Sequence, residues 1–198
     1  MYILSIDVGI KNCAYVIGEV HDDNFVRIVK WDIINLVHDP KISANNIDFV
    51  TLSKNLKHEF SEHFNVYNDN CDELEIIIEN QIGQNAVRMK AVQGMITQWF
   101  VDNGFNNVKY ISSAHKLNHI MKENSFVSEK KFSYAEKKKL SIQIVCNAID
   151  CNDGINEWRD KFATSKKKDD LSDCFLQMYY YMKKNGMIKN ILNINLKL

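Results

Sequence analysis

Three strand-length runs crowd into the first 34 residues, with gaps of only four residues between them. Residues 2–8 (YILSIDV) alternate and are rich in β-branched side chains, Cys13–Val20 follow after Gly9-Ile10-Lys11-Asn12, and residues 25–34 follow after HDDN. Gaps that short leave no room for a crossover helix, so the runs must form an antiparallel meander. Farther along, residues 75–79 (EIIIE) form a short apolar run of the kind covered on both faces of a sheet. Val108–Ile111 reads as a fifth strand. Helical spacing of apolar residues predicts helices over 45–64, 86–102, 113–121, 134–149 and 169–184, with Ile47, Val50, Leu52, Leu56 and Phe60 marking the first. Residues 68–72, 122–133 and 151–168 are polar and read as loops. The order βββαβαβα, then more helix, predicts an α/β fold: a mixed five-stranded sheet, its three N-terminal strands antiparallel, flanked by helices.

The chain has 198 residues, enough for one core burying roughly 70% of the unfolded surface, so residues 1–198 are expected to form a single domain. No apolar run reaches the ~18 residues a membrane span needs, and the N-terminus lacks the basic leader of a secretory signal. The five cysteines (Cys13, Cys71, Cys146, Cys151, Cys174) include no CxxC pair and fit reduced thiols of an intracellular protein. The 25 basic and 25 acidic residues cancel, which excludes a protein that coats nucleic acid by charge alone. The cancellation hides an asymmetry: residues 1–99 carry 8 basic and 14 acidic groups (net −6), and residues 100–198 carry 17 and 11 (net +6). Lys130/Lys131, Lys137/Lys138/Lys139 and Lys166/Lys167/Lys168 supply the surplus, and each run also suits a solvated helix face or loop.

Four carboxylates fall where charge is costly or useful. Asp7 lies between Ile6 and Val8 in the first strand, where a charge needs a partner or a bound cation. Gly9, two residues on, suits a tight turn or the close approach of a phosphate. Glu79 ends the Ile76–Ile78 run, and carboxyl ends of buried strands are where α/β sheets place functional groups, although Glu75 shows that acids are also tolerated at the run's start. In KKKDDLSDCFLQMYYYM, Leu171, Cys174, Phe175, Met178 and Met182 mark the core face; Asp170 and Asp173 lie about 60° apart beside it. Asp169 is a candidate N-cap, Asp169/Asp173 is an alternative i, i+4 pair, and all three acids would favour the helix N-terminus. Taken together, acids on two strands and a late helix make an oxygen-rich site for Mg²⁺ or Mn²⁺. Two such ions ~4 Å apart can clamp an in-line phosphoryl displacement. The six histidines are scattered; the His115/His119 pair reads as surface.

SIDVGIKNCAYVIG, IIIENQ and DDLSDCFLQ, in that order, resemble the three acidic motifs of RuvC-type Holliday junction resolvases, which belong to the RNase H-like nuclease superfamily. The resemblance spans roughly residues 3–182 and implies an RNase H-like fold. It assigns Asp7, Glu79, Asp170 and Asp173 as catalytic metal ligands, choosing Asp170 over Asp169. The Asn/Ile/Lys bias, the length and the KKFSYAEKKKLSI segment are most similar to the poxvirus branch. That implies a homodimeric endodeoxyribonuclease that cuts four-way branched DNA symmetrically and resolves concatemeric viral genome junctions. The expected cofactor is Mg²⁺, two per active site, with Mn²⁺ able to substitute. The expected place is inside the cell, for a viral protein the cytoplasm of the infected host or the virion. Lysines before and within the penultimate helix match at Lys116 and Lys137, with Lys138 and Lys139 alongside, and imply contacts to DNA phosphates. The chain reads Glu79-Asn80-Gln81-Ile82 where bacterial relatives carry an aromatic, so bacterial-style sequence preference is not implied.

Two other readings share the fold: a nuclease acting on RNA, and a non-catalytic module that binds branched nucleic acid. A pure binder has no reason to set carboxylates beside phosphates. An actin-like ATPase or sugar kinase needs two large domains and a Gly-rich nucleotide loop, which 198 residues with 7 glycines do not provide. Met95, Ile96, Trp99 and Phe100 form an apolar stripe that could pack on the chain's own sheet or contribute to a dimer core.

Overall fold

A computed structural model of the chain describes residues 1–21, 26–83, 86–112, 116–123 and 132–188. Among these, β1 (Tyr2–Asp7), β2 (Cys13–Val20), β3 (Val26–Ile34), β4 (Leu74–Glu79) and β5 (Val108–Ile111) form one sheet in the order β3-β2-β1-β4-β5. The meander β1-β2-β3 is antiparallel, and β4 and β5 run parallel to β1. Gly9 allows the sharp first turn: a Cβ there would stand 2.3 Å from the carbonyl oxygen of Asn12. The close approach at Gly9 is therefore to the chain's own backbone.

Period-2 alternation divides the side chains of β1 between two cores. Leu4 and Ile6, with Tyr15, Ile17, Ile76 and Ile78, face α1 (Phe49–Phe64) and α2 (Val87–Asp102). Ile3, with Val16, Trp31 and Ile77, faces the layer that contains α3 (Lys116–Glu123), α4 (Tyr134–Cys151), α5 (Arg159–Thr164) and α6 (Lys168–Lys184). The sheet is thus the middle of three layers.

Three buried side chains tie α6 across the sheet. Ser5 Oγ donates to the Cys174 carbonyl (2.8 Å), Trp31 Nε1 to the Leu171 carbonyl (3.1 Å), and Gln177 Nε2 to the Ile6 carbonyl (3.2 Å). Each bond satisfies a buried polar group that would otherwise destabilise the core. Together they fix the start of α6 beside the end of β1.

The structure differs from the sequence expectations at several points. Helix α1 begins at Phe49 because Asp48 accepts the Thr51 N–H at 2.9 Å, so residues 45–48 precede the helix and Val50 is exposed. Its core stripe is Leu52, Leu56, Phe60 and Phe64. The polar stretch 68–72 lies within a 3-10 helix, Asn65–Glu73. Residues 151–168 are not all loop: a 3-10 turn (Asn156–Trp158) and α5 bury Ile155 and Phe162. Ile96, Trp99 and Phe100 are buried against their own chain, with the rings of Trp99 and Phe100 5.6 and 5.8 Å from Phe60; Met95 is only partly buried. His119 is half-buried, edge-on to Tyr180 at 5.2 Å, and not the surface residue expected. His115, Lys130, Lys131, most of the second turn and nearly all of the tail 187–198 lie outside the described residues.

Candidate active site

The three parallel strands β1, β4 and β5 end on the same edge of the sheet, where α/β folds bind ligands. Asp7 closes β1 and Glu79 closes β4, one register step beyond the Ile6–Ile78 pair. The alternation that turns Ile3 and Ile77 toward α6 also turns Asp7 and Glu79 that way. Asp170 and Asp173 project from the first turns of α6, and Lys116 opens α3 just past β5. All five line one cavity of about 450 Å³, together with Gln81 from the segment after β4 and Tyr134, Lys137, Lys138 and Ser141 from α4.

Asp7 and Glu79 hydrogen-bond to each other. Burial, then that bond and the Glu79 charge, hold the Asp7 carboxyl well above the usual carboxylate range. Lys116 is buried, with Nζ 2.7 Å from Asp173 Oδ1 and 3.3 Å from the Asp173 carbonyl. Burial works against its ammonium, but the charges of Asp173 and Asp7 outweigh that, and its pKa is raised. Burial and the adjacent Asp169 push the Asp170 carboxyl up. Asp170 Oδ2 is buried with no hydrogen-bond donor among the described residues; its nearest cation is Lys167 Nζ at 3.8 Å.

The chain leaving Glu79 is fixed too. Asn80 N–H donates to the Ile111 carbonyl (2.8 Å), and Gln81 N–H to Oε1 of the buried Gln93 (2.8 Å). Glu75, on the same face of β4, pairs instead with Lys109 and accepts from Tyr181 OH (2.5 Å). The two acids of EIIIE therefore divide into a paired one and one opening on the cavity.

Asp169 is not the N-cap of α6, a place held by Lys167; it bonds Lys138 Nζ of α4 at 2.5 Å. Burial raises its carboxyl, but Lys138 more than compensates, and its pKa is lowered. Lys137 and Lys138 line the cavity, while Lys139 is exposed and takes no part in its lining. Tyr134 and Ser141 also line it and were not singled out from the sequence. Their spacing from Lys137 and Lys138 places all four on one face of α4, the signal by which they could have been found.

Among the described residues, no three His, Cys, Asp or Glu side chains converge into a finished metal centre. The acids are instead engaged around the cavity wall, Asp7 with Glu79, Asp173 with Lys116, and Asp170 near Lys167. In chemistry the set fits hard divalent cations: four carboxylates around one cavity, one of them carrying a buried oxygen that lacks a hydrogen-bond donor. No helix among the described residues is long and apolar enough to cross a membrane.

No protein-family model matches the chain. An uncharacterized protein of Acanthamoeba polyphaga mimivirus, L451, is 28% identical over 121 residues, covering 54% of this chain and 28% of its own length. The chain therefore spans less than a third of that curated relative. Among solved structures, fowlpox virus resolvase in complex with its Holliday junction substrate superposes with a TM-score of 0.61 at 20% identity, over 93% of this chain and 99% of that one. The yeast mitochondrial Holliday junction resolvase Ydc2 gives 0.63 at 20% identity, over 93% and 80%. Thermus thermophilus RuvC gives 0.55 at 14% identity, over 93% and 97%. The chain has the α/β fold shared by these Holliday junction resolvases.

Proposed function

We propose that the chain is a Holliday junction resolvase, a metal-dependent endodeoxyribonuclease that cuts four-way branched DNA. The observation that carries this reading is the gathering of Asp7, Glu79, Asp170, Asp173 and Lys116 around one cavity at the carboxyl ends of the parallel strands. The shared fold supports it, since fowlpox virus resolvase and T. thermophilus RuvC were each crystallised with Holliday junction DNA.

Asp7, Glu79, Asp170 and Asp173 would hold two Mg²⁺ ions, or Mn²⁺ in their place. When bound, the pair supplies an activated water on one side of the scissile phosphate and charge stabilisation of the leaving oxygen on the other. The carboxylates contribute oxygens from two rigid strands and one clamped helix, which sets their directions before substrate arrives. The Lys116 ammonium, held on Asp173, stands within the cavity to orient a phosphate oxygen. Lys137 and Lys138 meet the backbone at the α4 wall, and Lys139 contacts phosphates farther out. With two divalent cations neutralising them, the four carboxylates contribute about zero charge in place of −4, which leaves the basic half of the chain to attract DNA. A four-way junction has approximate two-fold symmetry, which a C2 homodimer of this single domain would match with two sites. The similarities to fowlpox virus and mimivirus proteins favour resolution of viral genome junctions inside the infected cell.

The test is substitution of single ligands. Asp7→Asn and Asp173→Asn should lose Mg²⁺-dependent junction cleavage, and Asp7→Asn should still bind the junction. Binding should weaken steeply with salt as phosphate counterions are displaced. Full cleavage by either variant would contradict the assignment.

A further inference from the structure

Tyr134, Lys137, Lys138 and Ser141 form the α4 wall of the cavity. Three of them are groups suited to phosphate or sugar. Tyr134 differs: it is 76% exposed and belongs to neither hydrophobic core. Its position is nevertheless fixed. A reciprocal capping box between Ser133 and Glu136 sets the first turn of α4. Lys138 Nζ lies 5.2 Å from the ring centroid and is itself bonded to Asp169 on α6. The fold thus tethers an open aromatic ring at the rim of the cavity that holds the four acids.

We propose that Tyr134 is a base-stacking platform, taking the face of an unstacked nucleobase next to the phosphate bound in the cavity. This inference rests on the reading of the cavity as a nuclease site. Aromatic faces accept any base, and a lysine on the same ring adds attraction. Within a continuous duplex both faces of each base are covered, and exposing one costs a few kcal/mol. At a branch point that cost is smaller. The platform therefore favours branched over continuous DNA, and Tyr134 becomes a determinant of structural selectivity.

The experiment compares wild type with Tyr134→Phe, Tyr134→Leu and Tyr134→Ala in Ca²⁺, which takes carboxylate oxygens and so neutralises the site in place of Mg²⁺. The probe is a four-way DNA junction with 2-aminopurine at each nucleotide flanking the branch in turn, alongside a duplex of equal length. Wild type and Tyr134→Phe should shift the emission at one position. Tyr134→Leu and Tyr134→Ala should abolish that shift and bind the junction about tenfold more weakly, the scale of one lost base–aromatic contact. Duplex affinity should stay unchanged. The ring packs in neither core, so its removal leaves the fold intact, and circular dichroism of the same samples checks this. Junction affinity and emission shift kept in Tyr134→Leu would overturn the role of Tyr134. A wild type with no preference for junction over duplex would overturn the junction-resolvase reading itself, and it is read before any variant is made.

Discussion

Trp31 offers the sharpest test of how the fold positions the site. It is 1% exposed, stacked between Phe162 and Phe175 with ring centroids 5.3 Å away on each side. Its Nε1 donates to the carbonyl of Leu171, the residue after Asp170 and two before Asp173. Trp31→Phe keeps an aromatic ring but loses that hydrogen bond, about 1 kcal/mol, and leaves a void of several atoms, about 1 kcal/mol more. Trp31→Ala forfeits both stacks and should cost about 4–5 kcal/mol. For a domain of this size, about 2 kcal/mol corresponds to a fall in Tm of roughly 4–8 °C. Urea unfolding followed by far-ultraviolet circular dichroism gives the free energies, provided the slopes agree among variants. Junction cleavage measured where all variants are folded gives the second readout, and it should fall in Trp31→Phe because the start of α6 loses an anchor. Trp31→Ala within about 1 kcal/mol of wild type, or Trp31→Ala with undiminished cleavage, would refute the claim that this clamp holds the α6 acids in place.

Asp7→Asn should alter stability as well as activity. Because the folded protein raises the Asp7 pKa, wild type loses stability as pH rises from the unfolded carboxylate value, about 3.9, through the folded one. Asp7→Asn should lack that decline, so its Tm in EDTA should match wild type near pH 4 and exceed it near pH 8; the reverse order would contradict the buried Asp7–Glu79 contact. Gly9→Ala forces a methyl onto the Asn12 carbonyl and should cost about 2 kcal/mol, read as a lower Tm, with weakened cleavage because Asp7 lies two residues away. Alkylation of the native protein, followed by mass spectrometry, should label the exposed Cys146 and Cys151 and spare Cys13 and Cys174, whose thiols burial pushes up, that of Cys13 to about 12. Rapid native labelling of Cys13 would contradict the packing of the sheet against α1 and α2, and that of Cys174 its packing against α6.

The strands were legible because their patterns are local. Alternation gave β1, a strand-length run between two turns gave β2, the unbroken Ile76–Ile78 run gave β4, and short gaps gave the antiparallel meander. The four acids were legible as a set because each stands at the end or start of an element, and their common face follows from the strand period. Other features depend on partners distant in sequence. Asp169 could not be separated from Asp170 by spacing alone: what distinguishes it is Lys138, 31 residues earlier. Ile155, Trp158 and Phe162 are single apolar residues among charges, and they form a covered layer only because Trp31 and Ile28 lie beneath them. Tyr134, between Ser133 and Ala135, carries no local mark; its place at the cavity depends on how α4 packs.

The central claim, that these residues cut branched DNA, is tested most directly by one comparison. Wild type and Asp7→Asn are incubated with Mg²⁺ and either a mobile four-way DNA junction or an RNA–DNA hybrid of matched sequence. The account predicts paired, symmetric nicks in the junction by wild type alone, and little cleavage of the hybrid. Faster cleavage of the hybrid, or junction cleavage that survives in Asp7→Asn, would contradict it.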